Sequence, residues 1–194
     1  MEINNDLHNY VITFDNVMPK NILETFTKYC KQLEYGDAHI IFSDKKNIID
    51  PIVRKTLTYS MIDVKTNSLT KVHWCNFLTY TFKILVKDYF NFTKLPNNVE
   101  QIIDIQILKY EKGGHYVFHT DDSRSAHRIL SCIFFTNDDY EGGNLLFKYP
   151  FKKDIVKIEK KSNRMVIFPS NILYSHSVEP VISGERLSVV SWVL

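Results

Sequence analysis

The chain has 194 residues, of which 44% are hydrophobic, and this suits one domain with a sizeable buried core. Its 24 lysines and arginines nearly balance its 22 aspartates and glutamates, so charge alone does not favour a nucleic acid or a membrane surface as the partner. No apolar run is long enough to span a membrane and residues 1–16 lack a signal-peptide pattern, so we expect a soluble, cytoplasmic protein.

The first half of the chain is expected to be mainly helical. Val11–Asp15 is apolar and β-branched, and it predicts a short strand. Apolar residues at helical spacing from Pro19 to Leu33 predict an amphipathic helix with the proline in its first turn. A second such pattern predicts a longer helix over Leu69–Phe92. The segment between the helices, Tyr35–Ser68, is polar and irregular, so we expect a loop or a lid over a site.

After Pro96 the sequence changes to short runs rich in β-branched and aromatic residues, separated by turn signals. The predicted strands are Ile102–Tyr110, Tyr116–His119, Arg128–Thr136, Asn144–Lys148, Ile155–Ile158, Arg164–Pro169 and Leu187–Leu194. Helices followed by strands are typical of an α+β domain, with helices packed on one side of an antiparallel sandwich or barrel. We therefore expect a single domain over residues 1–194, with helical support in about 1–95 and a strand core in about 96–194.

The three cysteines, Cys30, Cys75 and Cys132, are odd in number and far apart, and they form no CxxC pair. Such cysteines indicate reduced and mostly buried thiols. The sequence therefore predicts neither a disulfide framework nor a cysteine-bound zinc site.

Three potential metal ligands follow in the strand region. His119 and Asp121 stand two positions apart, and in a strand such residues project to the same face, where both can bind one metal ion. His176 lies in a later segment, from which a neighbouring strand could deliver a third ligand. Taken singly, an HxD pair arises by chance and a lone histidine is usually an ordinary hydrogen-bonded residue. Together, however, two neutral imidazoles and a carboxylate can bind one face of the coordination sphere of iron(II). The opposite coordination positions then stay open for other ligands.

Arg186 follows a turn and opens an apolar strand, Leu187–Leu194, whose alternate members should face a core. Ser188 lies two residues further on and therefore on the same face. A guanidinium and a hydroxyl so placed are suited to binding a carboxylate deep in a barrel. A structural salt bridge is the alternative for Arg186 considered alone.

In this order and spacing the motifs resemble the prolyl 4-hydroxylase branch of the iron(II)/2-oxoglutarate-dependent dioxygenases. The similarity runs from about Ile105 to Leu194 and is carried by His119-x-Asp121, His176, Arg186, Tyr110, Gly143 and Trp192. The segment Glu141–Phe147 resembles the family's glycine-pair turn, and the tail from His176 is similar to bacterial hydroxylases of this branch. The resemblance implies a double-stranded β-helix, or jelly roll, with the metal near one open end.

The resemblance also implies roles for individual residues. His119, Asp121 and His176 would bind Fe(II), and Arg186 would hold the distal carboxylate of 2-oxoglutarate. Tyr110 matches a tyrosine that lines the pocket, so it is a candidate for cosubstrate binding and catalysis. Arg128 stands where relatives can place a substrate-contacting arginine, so it is a candidate catalytic residue, although a strand-edge arginine is usually just solvated.

Two residues depart from the family pattern. Phe135 stands where some relatives have a tyrosine that helps to hold the distal carboxylate, so that hydroxyl is missing. Ser188 could supply the lost hydrogen bond, an inference that rests on strand periodicity. Asn144 replaces the acidic residue that commonly follows the glycine pair. Neither change touches a predicted metal ligand, so we expect effects on affinity and substrate choice.

The implied activity is hydroxylation of a substrate C–H bond with Fe(II), 2-oxoglutarate and dioxygen, releasing succinate and CO2, with ascorbate as a candidate reductant. The favoured substrate is a prolyl residue in a peptide or protein. A free amino acid, another small metabolite or a nucleic-acid base would need the same chemistry, but the near-neutral charge counts against nucleic acid. No membrane partner is expected. An inactive jelly-roll binding module is the alternative from a different class.

Overall fold

The chain folds around two antiparallel β-sheets, which a computed structural model describes for residues 6–41, 47–63, 68–96, 101–122, 127–150 and 152–194. The helical elements are a 3-10 turn at Leu7–Tyr10 and two helices, α1 (Lys20–Lys31) and α2 (Leu69–Thr93). The short strands of the first half are β1 (Ile12–Asp15), β2 (Gly36–Asp37), β3 (Ile40–Ile41), β4 (Asn47–Ile48), β5 (Arg54–Lys55) and β6 (Leu57–Ser60). The strands of the second half are β7 (Ile102–Tyr110), β8 (His115–His119), β9 (Leu130–Phe135), β10 (Glu141–Gly142), β11 (Leu145–Lys148), β12 (Val156–Ile158), β13 (Arg164–Pro169), β14 (Ser175–Val178), β15 (Val181–Ser183) and β16 (Arg186–Val193).

The larger sheet has seven strands in the order β1-β13-β9-β16-β7-β6-β2, and the smaller has five in the order β12-β11-β14-β8-β5. Two-stranded pairings of β10 with β15 and of β3 with β4 complete the sheets of the described residues. Neighbours in both large sheets are far apart in sequence, as in a double-stranded β-helix. The expected α+β jelly roll with supporting helices is therefore confirmed.

The helices pack on the outer face of the larger sheet. In α1, Leu23, Phe26 and Cys30 are buried at helical spacing. In α2, the buried residues Trp74, Leu78, Phe82, Val86 and Tyr89 recur every three or four positions and form a stripe along the helix. Both stripes belong to one apolar cluster that also contains Ile105, Ile107, Leu187 and Val189 from the sheet. The helices thus cover one face of β7 and β16.

The other face of the larger sheet lies against the smaller sheet. Here the alternate residues Leu108 and Tyr110 of β7 join Val190 and Trp192 of β16 in a second apolar cluster. Arg186 and Ser188 alternate along β16 with the same spacing as Val190 and Trp192. They therefore share the face of these two residues, and both polar side chains lie between the sheets. The fold therefore positions a buried arginine inside the jelly roll.

The described part of Tyr35–Ser68 is more regular than expected. It contains β2 to β6, of which β6 pairs with β7, β2 extends the larger sheet and β5 pairs with β8. The expectation of an irregular loop was wrong for these residues because strands of two to four residues are too short to show an alternating pattern. Residues 42–46 and 64–67 of the segment lie outside the described residues. The first 95 residues thus contribute sheet strands as well as helical support.

The three cysteines are free thiols, and Cys30 and Cys132 are buried, as the sequence predicts. Burial raises the pKa of the Cys132 thiol to about 12. Within the described ranges, neither helix is long and apolar enough to cross a bilayer.

Candidate functional site

The three predicted metal ligands meet between the two strands β8 and β14. These strands pair antiparallel with His119 opposite His176. Asp121 lies just beyond the end of β8, two residues after His119. Its Oδ1 is 3.6 Å from Nε2 of His119, and its Oδ2 is 3.6 Å from Nε2 of His176. The ligand atoms of all three residues lie within 4.8 Å of one another.

Backbone hydrogen bonds fix the orientation of both imidazoles. Nδ1 of His119 is 2.8 Å from the carbonyl oxygen of Val117, and Nδ1 of His176 is 3.1 Å from that of Tyr174. A carbonyl oxygen can only accept, so each Nδ1 carries the proton and donates it. In the neutral imidazole Nε2 then keeps its lone pair, which is the form that binds metal. Both Nε2 atoms lie 3.6 Å from an oxygen of the Asp121 carboxylate.

The electrostatics of the three side chains also suit a cation. Burial raises the pKa of the Asp121 carboxyl, but His176, His119 and a hydrogen bond from Ser131 outweigh burial and bring that pKa below its usual range. Burial, with the neighbouring His119, lowers the pKa of His176 to about 4 even though Asp121 opposes the shift. At neutral pH the group therefore consists of a carboxylate anion and a neutral His176.

The position of the Asp121 carboxylate is set by Ser131 of β9. The Ser131 hydroxyl donates a 2.6 Å hydrogen bond to Oδ2 of Asp121 and lies 2.7 Å from the hydroxyl of Ser170. Ser131 was not predicted, because an apolar strand pattern gives no signal for a single polar member that supports a ligand. The two histidines and one carboxylate are the donor set of non-haem Fe(II) sites, and their geometry fits such an ion.

A buried cation lies in the same cavity. Arg186 is 1% exposed and its Nη1 donates a 2.8 Å hydrogen bond to Oγ of Ser188, which is fully buried. The guanidinium carbon lies 4.8 Å from the ring centre of Tyr110 and 5.2 Å from that of Phe135. Its Nε has no hydrogen-bond partner, and among the described residues no carboxylate lies within ion-pair distance. An uncompensated buried charge is strongly unfavourable, so this arginine indicates an anionic ligand.

The Arg186 surroundings include a tyrosine that the sequence did not single out. Tyr140 is 4% exposed, and its hydroxyl has no hydrogen-bond partner among the described residues. Burial raises the pKa of this hydroxyl, and the nearby Arg186 opposes the rise. A Cβ atom on Gly143 would lie 3.1 Å from Cε2 of Tyr140 and 3.2 Å from Cδ of Arg186. The glycine therefore allows the tyrosine and the arginine to approach each other.

The structure brings the predicted residues into one cavity of about 340 Å³. Its lining includes His119, Asp121, His176, Arg186, Tyr110 and Arg128, together with the unpredicted Arg54 and Tyr116. Ser188 contacts Arg186 at the wall of the cavity. Arg128 is not simply solvated, because its guanidinium lies 3.7 Å from the ring centre of Trp192.

Part of the chain matches a known protein family. Residues 105–194, which contain every predicted ligand, match the model of the 2OG-Fe(II) oxygenase superfamily. Similar curated proteins include a PKHD-type hydroxylase of Parvibaculum lavamentivorans, 34% identical over 115 residues, or 57% of this chain and 49% of that protein. A PKHD-type hydroxylase of Aliarcobacter butzleri is 36% identical over 48% of this chain and 44% of its own. The chain spans about half the length of the curated relatives it matches.

Solved structures share the fold at low sequence identity. A Pseudomonas putida prolyl-4-hydroxylase has a TM-score of 0.72 and 18% identity, over 95% of this chain and 92% of that one. A Trichoplax adhaerens prolyl hydroxylase, solved with a hypoxia inducible factor peptide fragment, has a TM-score of 0.70 and 16% identity, over 96% and 84% of the two chains. The jelly roll is therefore common to all three proteins.

Proposed function

Because residues 105–194 match the model of the 2OG-Fe(II) oxygenase superfamily, we propose that the chain is an Fe(II)- and 2-oxoglutarate-dependent dioxygenase that hydroxylates a prolyl residue in a peptide or protein. One observation carries the proposal: a histidine-aspartate-histidine group lines the same cavity as a buried arginine that has no anionic partner among the described residues. The first suits a divalent metal with open positions, and the second suits a carboxylate. A 2-oxoglutarate site needs both a metal ion with open positions and a cationic partner for the distal carboxylate.

The residues of the chain have separate tasks in this proposal. His119, Asp121 and His176 would hold Fe(II), which with 2-oxoglutarate and dioxygen supplies the oxidising power for hydroxylation and yields succinate and CO2. Arg186 would bind the distal carboxylate of 2-oxoglutarate and thereby fix the direction in which the cosubstrate enters. Ser188 positions the guanidinium through their hydrogen bond, and its own hydroxyl hydrogen remains able to donate to the same carboxylate.

Buried apolar side chains form part of the cavity wall. Leu108, Ile133, Val178 and Trp192 line it between the sheets, and each is less than 10% exposed. Tyr110 lies beside Arg186, where it would contact the bound cosubstrate. Because Arg186 is buried, its attraction for a carboxylate is stronger than it would be in water.

The choice of a prolyl substrate is supported by the branch of the family that the chain resembles. The P. putida and T. adhaerens structures are named prolyl hydroxylases, and the second holds a peptide fragment. A peptide or protein is therefore the first substrate class to test.

An anaerobic visible spectrum of the protein with Fe(II), recorded before and after addition of 2-oxoglutarate, tests the cosubstrate site. A weak charge-transfer band that requires both additions and is lost in His176→Ala is the expected result. In air, the wild-type protein should then release succinate and add one oxygen atom to proline-containing peptides, as measured by mass spectrometry. Absence of the band at saturating Fe(II) and 2-oxoglutarate would refute the proposal. A band without peptide oxidation would refute the prolyl assignment alone.

A further inference from the structure

Two arginines other than Arg186 line the metal cavity. Arg54 comes from β5 in the first half of the chain, and Arg128 lies two residues before the start of β9. Strand β5 pairs with β8, which places Arg54 opposite Tyr116 in the register. Arg54 therefore reaches the site through a strand that the sequence pattern did not reveal.

Both guanidinium groups are held in the same manner. That of Arg54 lies 4.8 Å from the ring centre of Tyr116, and that of Arg128 lies 3.7 Å from the ring centre of Trp192. A backbone hydrogen bond also holds each guanidinium. Nη1 of Arg54 donates to the carbonyl of His39 and Nη1 of Arg128 donates to the carbonyl of Asp121, each over 3.3 Å. Stacking on a ring occupies the face of a guanidinium and leaves donors at its edge.

Neither arginine has an ion-pair partner among the residues that the structure describes. The Nε atoms of Arg54 and Arg128 are buried and also lack a hydrogen-bond acceptor there. Both cations lie near the predicted metal ligands, since Arg54 lies against the ring of Tyr116 and Arg128 donates a hydrogen bond to the backbone carbonyl of Asp121. Tyr116 in turn stacks on His119, with ring centres 3.5 Å apart. The two cations are thus placed beside the metal ligands.

Among the described residues, the charges that line the cavity do not balance without a further anion. Three arginines and a divalent ion bring five positive charges, whereas Asp104, Asp121 and the dianion 2-oxoglutarate bring four negative charges. One positive charge is left over in a partly desolvated space, which is unfavourable unless a ligand compensates it. Arg186 is occupied by the cosubstrate in the proposed function, so the surplus lies at Arg54 and Arg128.

We propose that the substrate presents a carboxylate to Arg54 and Arg128 while its reacting carbon lies at the metal ligands. This inference rests on the proposed function and narrows its substrate class. Guanidinium groups bind carboxylates through pairs of parallel charge-assisted hydrogen bonds, so two fixed arginines form a specific site for such a group. The carboxylate belongs either to an acidic side chain next to the target residue in a peptide or to the α-carboxylate of a free amino acid.

Matched acid and amide probes separate these two sources. The first set consists of acetylated, amidated tripeptides with a central proline and either glutamate or glutamine before or after it. The second set consists of free proline and prolinamide. Binding to the anaerobic protein with Fe(II) and 2-oxoglutarate is measured by isothermal titration calorimetry, which needs no turnover. We expect at least one acid to bind about tenfold more tightly than its amide, and the set that shows the preference identifies the source.

The variants Arg54→Gln and Arg128→Gln should each remove most of this preference, and Arg54→Lys should restore only part of it because lysine lacks the planar fork. Lys55→Gln is the matched control, since it removes one positive charge from the adjacent, exposed residue. In the wild-type protein the preference should also shrink as sodium chloride is raised. The proposal is overturned if no acid binds better than its amide, or if both arginine variants keep the preference. The charge-transfer band with 2-oxoglutarate is recorded on the same samples, so loss of the proposed function is seen separately.

Discussion

The hydroxyl of Ser131 donates a 2.6 Å hydrogen bond to the carboxylate of Asp121, so a core strand of the larger sheet orients a ligand that follows β8 of the smaller sheet. Ser131 is 1% exposed and lies opposite Trp192 of β16 in the register. The three predicted metal ligands therefore contact both sheets of the jelly roll. The geometry of the site depends on how the sheets pack as well as on the ligands themselves.

Replacing Ser131 with alanine should weaken metal binding about tenfold or more, because partners that orient a metal ligand typically contribute this much to affinity. Titration of the metal-free protein with Fe(II) under anaerobic conditions measures the effect. Ser191→Ala is the matched control: it removes an equally buried hydroxyl whose 2.7 Å hydrogen bond goes to the carbonyl of Ile103. Equal metal affinities for the two variants would show that Ser131 does not position Asp121.

The second prediction concerns Arg186. Arg186→Gln should raise the KM for 2-oxoglutarate by about tenfold to a hundredfold, because a charge-assisted hydrogen bond to a carboxylate contributes about 1.5–3 kcal/mol. The affinity for Fe(II) should change little, since Arg186 makes no contact with the three ligands. Ser188→Ala should have a smaller effect in the same direction. A KM that stays at the wild-type value in Arg186→Gln would mean that the distal carboxylate binds elsewhere.

The sequence predicted the parts of the site that follow from strand alternation. His119 and Asp121 stand two positions apart and share one site, and Arg186 and Ser188 share the inner face of β16. The order of these motifs, together with the family resemblance, also predicted the jelly roll. Such features depend on short-range spacing, which the sequence shows directly.

The remaining parts of the site depend on long-range pairing. Arg54 approaches the cavity because the two-residue strand β5 pairs with β8, some sixty residues later. Tyr140 lies beside Arg186 because the chain turns at Gly142 and Gly143, both with positive φ. Ser131 is one polar residue in a strand buried throughout. In none of these cases does the local pattern identify the partner across the fold.

Gly143 provides the third prediction. Its φ of +59° is a conformation that residues with a Cβ rarely adopt, and a Cβ would press on Tyr140 and Arg186. Gly143→Ala should therefore lower the free energy of unfolding by about 1–3 kcal/mol and also raise the KM for 2-oxoglutarate by displacing Arg186. Gly36→Ala is the control, because no atom lies within 4 Å of its added Cβ. Urea denaturation and steady-state kinetics measure the two effects. Wild-type values of both quantities in Gly143→Ala would contradict the argument.

The last prediction concerns the pH dependence of stability through Asp15, which lies opposite Arg164 where β1 joins β13. Hydrogen bonds from Arg164 and Lys161 lower the pKa of the Asp15 carboxyl below its ordinary value of 3.8. Because the folded state has the lower pKa, this pairing stabilises the protein above about pH 4 and the contribution is lost as the pH falls further. The carboxylate is one-third exposed, so the contribution should be no more than about 1 kcal/mol.

Asp15→Asn should accordingly lower the melting temperature by a few degrees near pH 7, and the difference from the wild-type protein should narrow as the pH is lowered below 4. Thermal denaturation followed by circular dichroism across this range provides the measurement. Asp37→Asn is the control, because Asp37 is exposed and has no ion pair among the described residues. The difference in melting temperature between Asp15→Asn and the wild-type protein could instead stay constant from pH 7 down to pH 2. That result would show that the substitution does not act through loss of the ion pair.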